Sequence, residues 1–217
     1  MSLRQLQRRS AALLRDGGVL RALRSELNHE LSSSSPPPPD PSQSQKSEIL
    51  VDEFALEWDS PRVQDVVLRR RHGGHAEEDI SVSALLAPLR FRGEDPLPRD
   101  ALMKVCIKKP QFGPVLHFDC RIFHRQEVEQ LECGDSDFIV KGVYYHPSVD
   151  SLGDSKYKGP IFSSLDPQLQ TALKHYLVAR GIDVKLTSFL LQHLHKKEHG
   201  QYVNWLRALE GAFAKDA

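Results

Sequence analysis

Residues 103–122, MKVCIKKPQFGPVLHFDCRI, contain two runs that decide the fold class of this chain. The apolar positions are Met103, Val105 and Ile107 in the first run, and Leu116, Phe118, Cys120 and Ile122 in the second. Polar residues stand between them, and a period of two is typical of a β-strand with one face on a core and the other toward water. Gly113 and Pro114 separate the runs, as in a turn. We therefore predict two antiparallel strands here.

The same period of two extends from about residue 49 to residue 146. We expect Phe54, Leu56 and Trp58 to share one strand face, Ile80, Val82 and Ala84 to share another, and residues 138–145 to form the last strand. The turn-prone breaks at Ser60-Pro61, Gly73-Gly74 and Gly93 to Pro98 follow at short intervals, without helical patterns between them. Strands connected in this way predict a twisted antiparallel sheet of about seven strands.

Helical periodicity appears on both sides of this region. Leu20, Leu23, Leu27 and Leu31 recur at helical spacing behind Gly17-Gly18. Near the other end, Asp166 is a good N-cap, Pro167 stands at the first helical position, and Gly181 suits a helix end. A last helical stretch carries Tyr202, Trp205, Leu206, Leu209 and Phe213, with Gly200 as a place where it could bend. The prediction is an α+β fold with one N-terminal and two C-terminal helices.

The first 25 residues are rich in arginine and contain one acid, Asp16. This composition is typical of an organelle-targeting presequence, so we interpret residues 1–16 as a mitochondrial presequence and residues 17–217 as a single domain. The alternative is an exposed basic start to an ordinary helix. The Ser/Pro-rich segment 32–47 cannot form a core and is predicted to be a flexible linker.

Composition excludes several classes of protein. The chain has 217 residues with 29 basic and 29 acidic side chains, so it has no overall field that favours nucleic acid. Removal of residues 1–15 would give a net charge of about −4. No apolar run is long enough to span a membrane, which predicts no membrane insertion. Cys106, Cys120 and Cys133 form no C-x-x-C pair, as expected of structural thiols in a reducing compartment.

One motif favours an enzyme. His195-Lys196-Lys197-Glu198-His199 matches the H-x-x-E-H pattern of inverted zinc metallopeptidases. Such a site needs a third protein ligand, and Glu210 is the sole glutamate after His199, on the same helical stretch. G-x-S-x-G, P-loop and G-x-G-x-x-G motifs are absent from the sequence. We therefore predict no catalytic, cofactor-binding or metal-ligating residues, and a zinc peptidase through His195, Glu198 and His199 stays the alternative.

Two further groups of residues suggest binding. Arg69, Arg70 and Arg71 could contact phosphates, which makes a nucleic-acid-binding module a second alternative, but the acids Glu77, Glu78 and Asp79 follow and would cancel much of the field. The aromatics Tyr144, Tyr145 and Trp205 could form a binding surface. Packing in a core or between copies of the chain is the other interpretation of these three side chains.

The order of elements and one set of residues resemble the mitochondrial glycoprotein family, the acidic matrix proteins that include the globular-head complement receptor. The set is Tyr157-Lys158-Gly159-Pro160-Ile161-Phe162, Leu165-Asp166, Leu169-Gln170, Tyr176-Leu177, Arg180-Gly181-Ile182, Phe189-Leu190, Tyr202, Trp205-Leu206 and Leu209. The resemblance covers residues 150–214 best, residues 49–146 next and the residues before 20 least.

This resemblance implies a doughnut-shaped homotrimer in the mitochondrial matrix and no catalytic residues or cofactors. It implies chaperone-like binding to other mitochondrial proteins, with links to translation, ribosome assembly and oxidative phosphorylation. Partners would include other copies of the chain and components of the ribosome or of respiratory complexes during their assembly. The chain departs from the family in charge, because the family is typically strongly acidic and this sequence is neutral.

Overall fold

A computed structural model describes residues 18–32, 50–51, 53–71, 78–108, 114–124, 136–147 and 159–215. The chain divides into two compact units, one within residues 47–197 and one formed by residues 1–46 and 198–217. The predicted presequence 1–16 and residues 33–47 of the predicted linker lie outside the described residues. So do Cys133, the Gly73-Gly74 turn, and Tyr157 and Lys158.

The first unit contains an antiparallel seven-stranded sheet, in the order β1-β2-β3-β4-β7-β8-β9. Its strands are β1 Leu50–Val51, β2 Phe54–Asp59, β3 Val66–Arg71, β4 Asp79–Leu86, β7 Ala101–Lys108, β8 Val115–His124 and β9 Ser136–His146. A two-stranded hairpin, β5 Phe91–Arg92 and β6 Asp95–Pro96, is inserted between β4 and β7. Because β1 has only two residues, the sheet amounts to six longer strands. The predicted antiparallel sheet is confirmed.

Among the residues that the structure describes there are four helical segments. They are α1, residues 18–32, a short 3₁₀ helix Phe162–Ser164, α2 Pro167–Val178 and α3 Val184–Lys215. α3 continues through Gly200, where we had expected a bend. None of the described helices is long and apolar enough to cross a membrane.

One face of the sheet packs against α2 and the first part of α3. The predicted apolar positions Met103, Val105, Ile107, Phe118, Cys120 and Ile122 are all buried there, together with Leu177, Ile182, Leu186, Leu190, Leu191 and Leu194 from the helical region. Since burial of each large apolar side chain is worth roughly 1.5–3 kcal/mol, this layer is the main source of stability of the unit.

The ends of α2 form as predicted. Asp166 Oδ1 accepts hydrogen bonds from the backbone N–H groups of Gln168 and Leu169, at 2.9 and 3.3 Å. At the other end, Gly181 has φ +80, a backbone conformation that side chains disfavour, and its N–H donates to the carbonyl of Val178. Arg180 then forms two hydrogen bonds with Glu78, at 2.7 and 3.0 Å, which tie this helix end to the sheet.

One predicted side-chain position is wrong. Phe54 is buried and Leu56 packs against the core, but Trp58 is 44% exposed. A β-bulge between Leu56 and Trp58 shifts the register, so that Trp58 lies opposite Val67 on the other face of the sheet. The extra residue in a bulge reverses the face of every side chain that follows it in the strand.

The bulge also places Asp59 on the face toward α3. Its carboxylate contacts His193 Nε2 at 2.7 Å and accepts a hydrogen bond from Lys197 Nζ at 2.5 Å. Lys197 donates a second hydrogen bond to the carbonyl of Asp65. These contacts join the end of β2 to α3.

The described part of the second unit consists of α1 and residues 198–215 of α3. Polar contacts connect them, among them Arg24 with Glu210 at 2.8 Å, the Tyr202 hydroxyl with Glu26 at 3.0 Å, and His199 with Glu30 at 3.0 Å. Val203 and Leu206 are buried, whereas Trp205 is 55% exposed and stacks on Tyr202.

Candidate functional site

The face of the sheet that points away from its buried core is the candidate binding surface, and we call it the outer face. Its side chains alternate with the buried positions along every long strand. The register sets Ser81, Cys106, His117 and Tyr144 opposite one another across β4, β7, β8 and β9. The neighbouring row contains Lys104, Asp119 and Gly142. Polar groups that are distant in sequence therefore meet on this face.

A glycine makes room for the centre of the outer face. A Cβ built on Gly142 would lie 2.4 Å from the Tyr144 hydroxyl oxygen, so only glycine allows the tyrosine ring to lie over this position. Burial, followed by the nearby charge of Asp119, raises the pKa of Tyr144. Tyr144 therefore keeps its proton and acts as a donor at neutral pH.

His117 and His146 lie beside this pair. The two imidazole rings stack at 5.8 Å, and the ring of His117 is 5.2 Å from that of Tyr144. His117 Nε2 lies 3.0 Å from Asp119 Oδ1, but off the directions that a hydrogen bond requires, and both atoms are buried without a hydrogen-bond partner. Burial lowers the pKa of His117 more than Asp119 raises it. The imidazole is therefore neutral at pH 7.

The neighbouring Cys106, His117 and Asp119 have the residue types of a thiol-hydrolase site. Such a site needs a thiolate, produced by a lowered pKa and a hydrogen-bonded base. Here burial raises the pKa of Cys106, and the His117–Asp119 pair lacks the hydrogen bond that would orient the base. The thiol and the imidazole therefore lack the properties of an activated nucleophile and its base.

The outer face also carries apolar side chains. Leu102 is 42% exposed and Ile139 is 38% exposed, and both lie across from Arg121 on the strand between them. Trp58 joins this face through the bulge. These partly exposed apolar side chains are the residues of the outer face that a bound macromolecule would cover.

The histidines of the H-x-x-E-H motif have separate hydrogen-bond partners. His195 Nε2 donates to the carbonyl of Arg99 at 3.2 Å, and its ring stacks on His124. His199 Nε2 contacts Glu30. Among the residues that the structure describes, no three His, Cys, Asp or Glu side chains are arranged to hold a metal ion. The contacts of the motif are those of structural residues.

The arginine run is divided between the two faces of β3. Arg69 forms hydrogen bonds with Asp79 and Glu57, which raise its pKa, and it lies on the outer face. Arg70 lies on the core face, where it donates to the carbonyl of Arg180 and pairs with Glu53. Both guanidinium groups are already neutralised by neighbours, which weakens the interpretation of this run as a phosphate-binding patch.

The three aromatics proposed for one binding surface are not brought together as a group. Tyr144 lies on the outer face, whereas Tyr145, its neighbour in β9, lies on the opposite face and is 64% exposed. Trp205 belongs to the other unit. Alternation along β8 assigns His117 and Asp119 to the polar side of the strand, but only the pairing of the strands makes Cys106 and His146 their neighbours.

Comparisons with known proteins agree on one family. The family model described as MAM33, mitochondrial glycoprotein, matches residues 23–213. The mitochondrial acidic protein mam33 of Schizosaccharomyces pombe is 35% identical over 85 residues, which cover 35% of this chain and 32% of that protein. An uncharacterised mitochondrial protein of Arabidopsis thaliana is 28% identical over 160 residues, covering 71% of this chain and 59% of the relative. The chain thus spans between about a third and three fifths of these two relatives.

Solved structures show the same fold. The crystal structure of the Trypanosoma brucei p22 protein superposes with a TM-score of 0.62 at 20% identity, covering 92% of this chain and 99% of that one. A Leishmania major protein of unknown function, described as a homologue of human p32, gives a TM-score of 0.63 at 20% identity, with 91% and 98% coverage. With the family model matching almost all of the folded chain, this protein belongs to the mitochondrial glycoprotein family.

Proposed function

We propose that this chain is a non-enzymatic protein of the mitochondrial matrix that acts as a homotrimer and binds other mitochondrial proteins during their assembly. The observation that carries the proposal is the outer face, where exposed Leu102 and Ile139 lie beside a half-buried polar cluster whose thiol is not activated. Family membership supports it, and both relatives described above carry mitochondrial names. The resemblance adds ribosomal and respiratory-complex assembly components as the partners to search for.

The binding role is tested with substitutions at two residues whose side chains are nearly equally exposed. Leu102 on the outer face and Val178 on α2 are 42% and 43% exposed, so Leu102→Lys and Val178→Lys change similar amounts of surface. Tagged full-length protein is purified from mitochondria, and the proteins recovered with it are quantified. We expect Leu102→Lys to lose most partners while its mass in solution stays that of the wild type. Equal recovery with both variants would show that the outer face is not the binding surface.

The mitochondrial location is tested separately. The presequence at residues 1–16 and the single domain at residues 17–217 are predictions from the sequence. A fusion of residues 1–45 to a fluorescent protein should enter mitochondria, and protease protection after rupture of the outer membrane should place it in the matrix. The matched control replaces Arg4, Arg8, Arg9 and Arg15 with glutamine. A wild-type fusion that stays in the cytosol would contradict the presequence.

A further inference from the structure

Two histidines are stacked within the polar cluster of the outer face. Their imidazole rings, from His117 on β8 and His146 on β9, lie 5.8 Å apart at an interplanar angle of 27°. The Nε2 atoms of both rings are buried, and neither has a hydrogen-bond partner among the described residues. Two imidazolium ions so close together repel each other, so this stack suits neutral rings.

The charged and titratable groups that face His117 come from three strands. They are Asp119 on β8, Lys104 and Cys106 on β7, and Tyr144 and His146 on β9. Burial lowers the pKa of His117 most strongly, the charge of Asp119 raises it, and the charges of Lys104 and His146 lower it further. The balance keeps the ring neutral at pH 7, so a proton taken up at lower pH favours a different arrangement of the cluster.

A carboxylate that can stabilise the protonated ring is already in place. Asp119 Oδ1 is buried and lies 3.0 Å from His117 Nε2, within the distance of an ion pair but off the direction of a hydrogen bond. A turn of the imidazole would align its Nε2–H with this oxygen, so that both atoms gain a charge-assisted hydrogen bond. The same turn would change the contact of His117 with the ring of Tyr144, which lies 5.2 Å away.

We propose that the stack of His117 and His146 is a pH-sensitive switch of the outer face. When His117 takes up a proton at mildly acidic pH, its ring turns toward Asp119 and the ring of Tyr144 is released. In the neutral state the Tyr144 hydroxyl oxygen lies 2.4 Å from the place of a Cβ on Gly142, so the released ring leaves this position open. The outer face changes shape and its partners dissociate, a consequence that rests on the proposed binding function.

Nuclear magnetic resonance of the full-length protein, isotope-labelled in its histidine and tyrosine rings, tests the switch between pH 8 and pH 5. We expect His117 to titrate below about pH 6.5, its ordinary midpoint, and the Tyr144 ring signals to shift with the same midpoint. The tyrosine does not titrate in this range itself, because its pKa is raised from 10. The shift of Tyr144 should disappear in His117→Gln and persist in the matched control His146→Gln. Tyr144 signals that ignore the titration of His117, or that shift equally in His117→Gln, would overturn the switch.

The effect on binding is measured with the mitochondrial proteins recovered on the tagged wild type and on His117→Gln at pH 7.5. Both samples are washed at pH 5.5, and we expect several-fold more release from the wild type. Equal release would overturn the control of binding by this switch. If Leu102→Lys keeps all partners, the proposed binding function fails, and the resonance experiment still decides the switch. In case His117→Gln does not fold, His117→Phe keeps a ring in the stack that cannot take up a proton, and the same comparisons apply to it.

Discussion

Tyr144 and Asp119 hold their positions because residue 142 has no side chain. The tyrosine ring occupies the space in which a Cβ of residue 142 would stand, and its hydroxyl reaches Asp119 on the neighbouring strand. A glycine inside a strand often marks such a close approach. The geometry of the polar cluster on the outer face therefore depends on one backbone position.

Gly142→Ala should destabilise the protein by about 1–3 kcal/mol, since the added methyl group forces the Tyr144 ring out of its place. Gly200→Ala is the matched control. Nothing lies within 4 Å of a Cβ at Gly200, which is inside α3, so that substitution should raise the free energy of unfolding by roughly 0.5–1 kcal/mol. Urea unfolding followed by circular dichroism measures both. Equal effects of the two substitutions would contradict the role assigned to Gly142.

Contacts between elements concentrate at the end of β2, where Asp59 meets α3. Burial by itself would raise the pKa of Asp59, but hydrogen bonds and charges from Lys197 and His193 outweigh it, and the pKa lies below its usual value. A carboxyl group whose pKa is lowered by folding contributes stability above its unfolded pKa, and this contribution is lost as the pH falls through the folded pKa.

Asp59→Asn should therefore lower the free energy of unfolding by about 0.2–1 kcal/mol at pH 7, because it removes charged hydrogen bonds that lie at an exposed site and are screened by water. The difference from the wild type should shrink below about pH 4, where the wild-type carboxylate takes up its proton. Unfolding curves in urea between pH 7 and pH 3 measure this difference. Glu94→Gln, in the exposed hairpin turn, is the matched control for the removal of one surface carboxylate. A constant deficit of Asp59→Asn across the range would refute the electrostatic explanation.

The strands and helix ends could be predicted from sequence because their signals are local. Alternation places Met103 and Phe118 in the core, and Asp166, Pro167 and Gly181 bound α2 through backbone chemistry that lies within a few residues. Trp58 was placed on the wrong face because a bulge is set by pairing with β3, which the β2 sequence does not contain. The polar cluster escaped prediction for a related reason: His117 and Tyr144 become neighbours only through the register of β8 and β9.

At the scale of the whole molecule, the proposed trimer requires apolar surface beyond that of one chain. Trp205 is 55% exposed and stacks on Tyr202, while Leu209 is half-buried near the same end of α3. Aromatic side chains exposed to this extent are enriched where chains associate. The second unit therefore offers a surface for assembly.

Trp205→Ala combined with Leu209→Ala should convert much of the trimer to single chains, since large-to-small changes in packed sites cost about 2–5 kcal/mol each. Val184→Ala, at the start of the same helix and 41% exposed, should leave the mass unchanged. Size exclusion with light scattering measures all three proteins. If the double variant of Trp205 and Leu209 keeps the wild-type mass, these two side chains lie outside any interface.

One extra residue, at the bulge in β2, decides on which face of the sheet each later side chain of the strand lies. Before the bulge, the alternation of faces starts from the buried Phe54. After the bulge, the alternation is shifted by one residue, so Trp58 points outward and Asp59 points toward α3. Deletion of Glu57 would remove the bulge and make Leu56 and Trp58 consecutive, so the indole would stay on the outer face and the carboxylate would stay toward α3. The deletion and Glu57→Ala both remove the contact of Glu57 with Arg69, so we expect similar losses of stability from the two changes in the urea assay used above. A much larger loss from the deletion would mean that the bulge itself, beyond the face that it gives to each side chain, stabilises the end of β2.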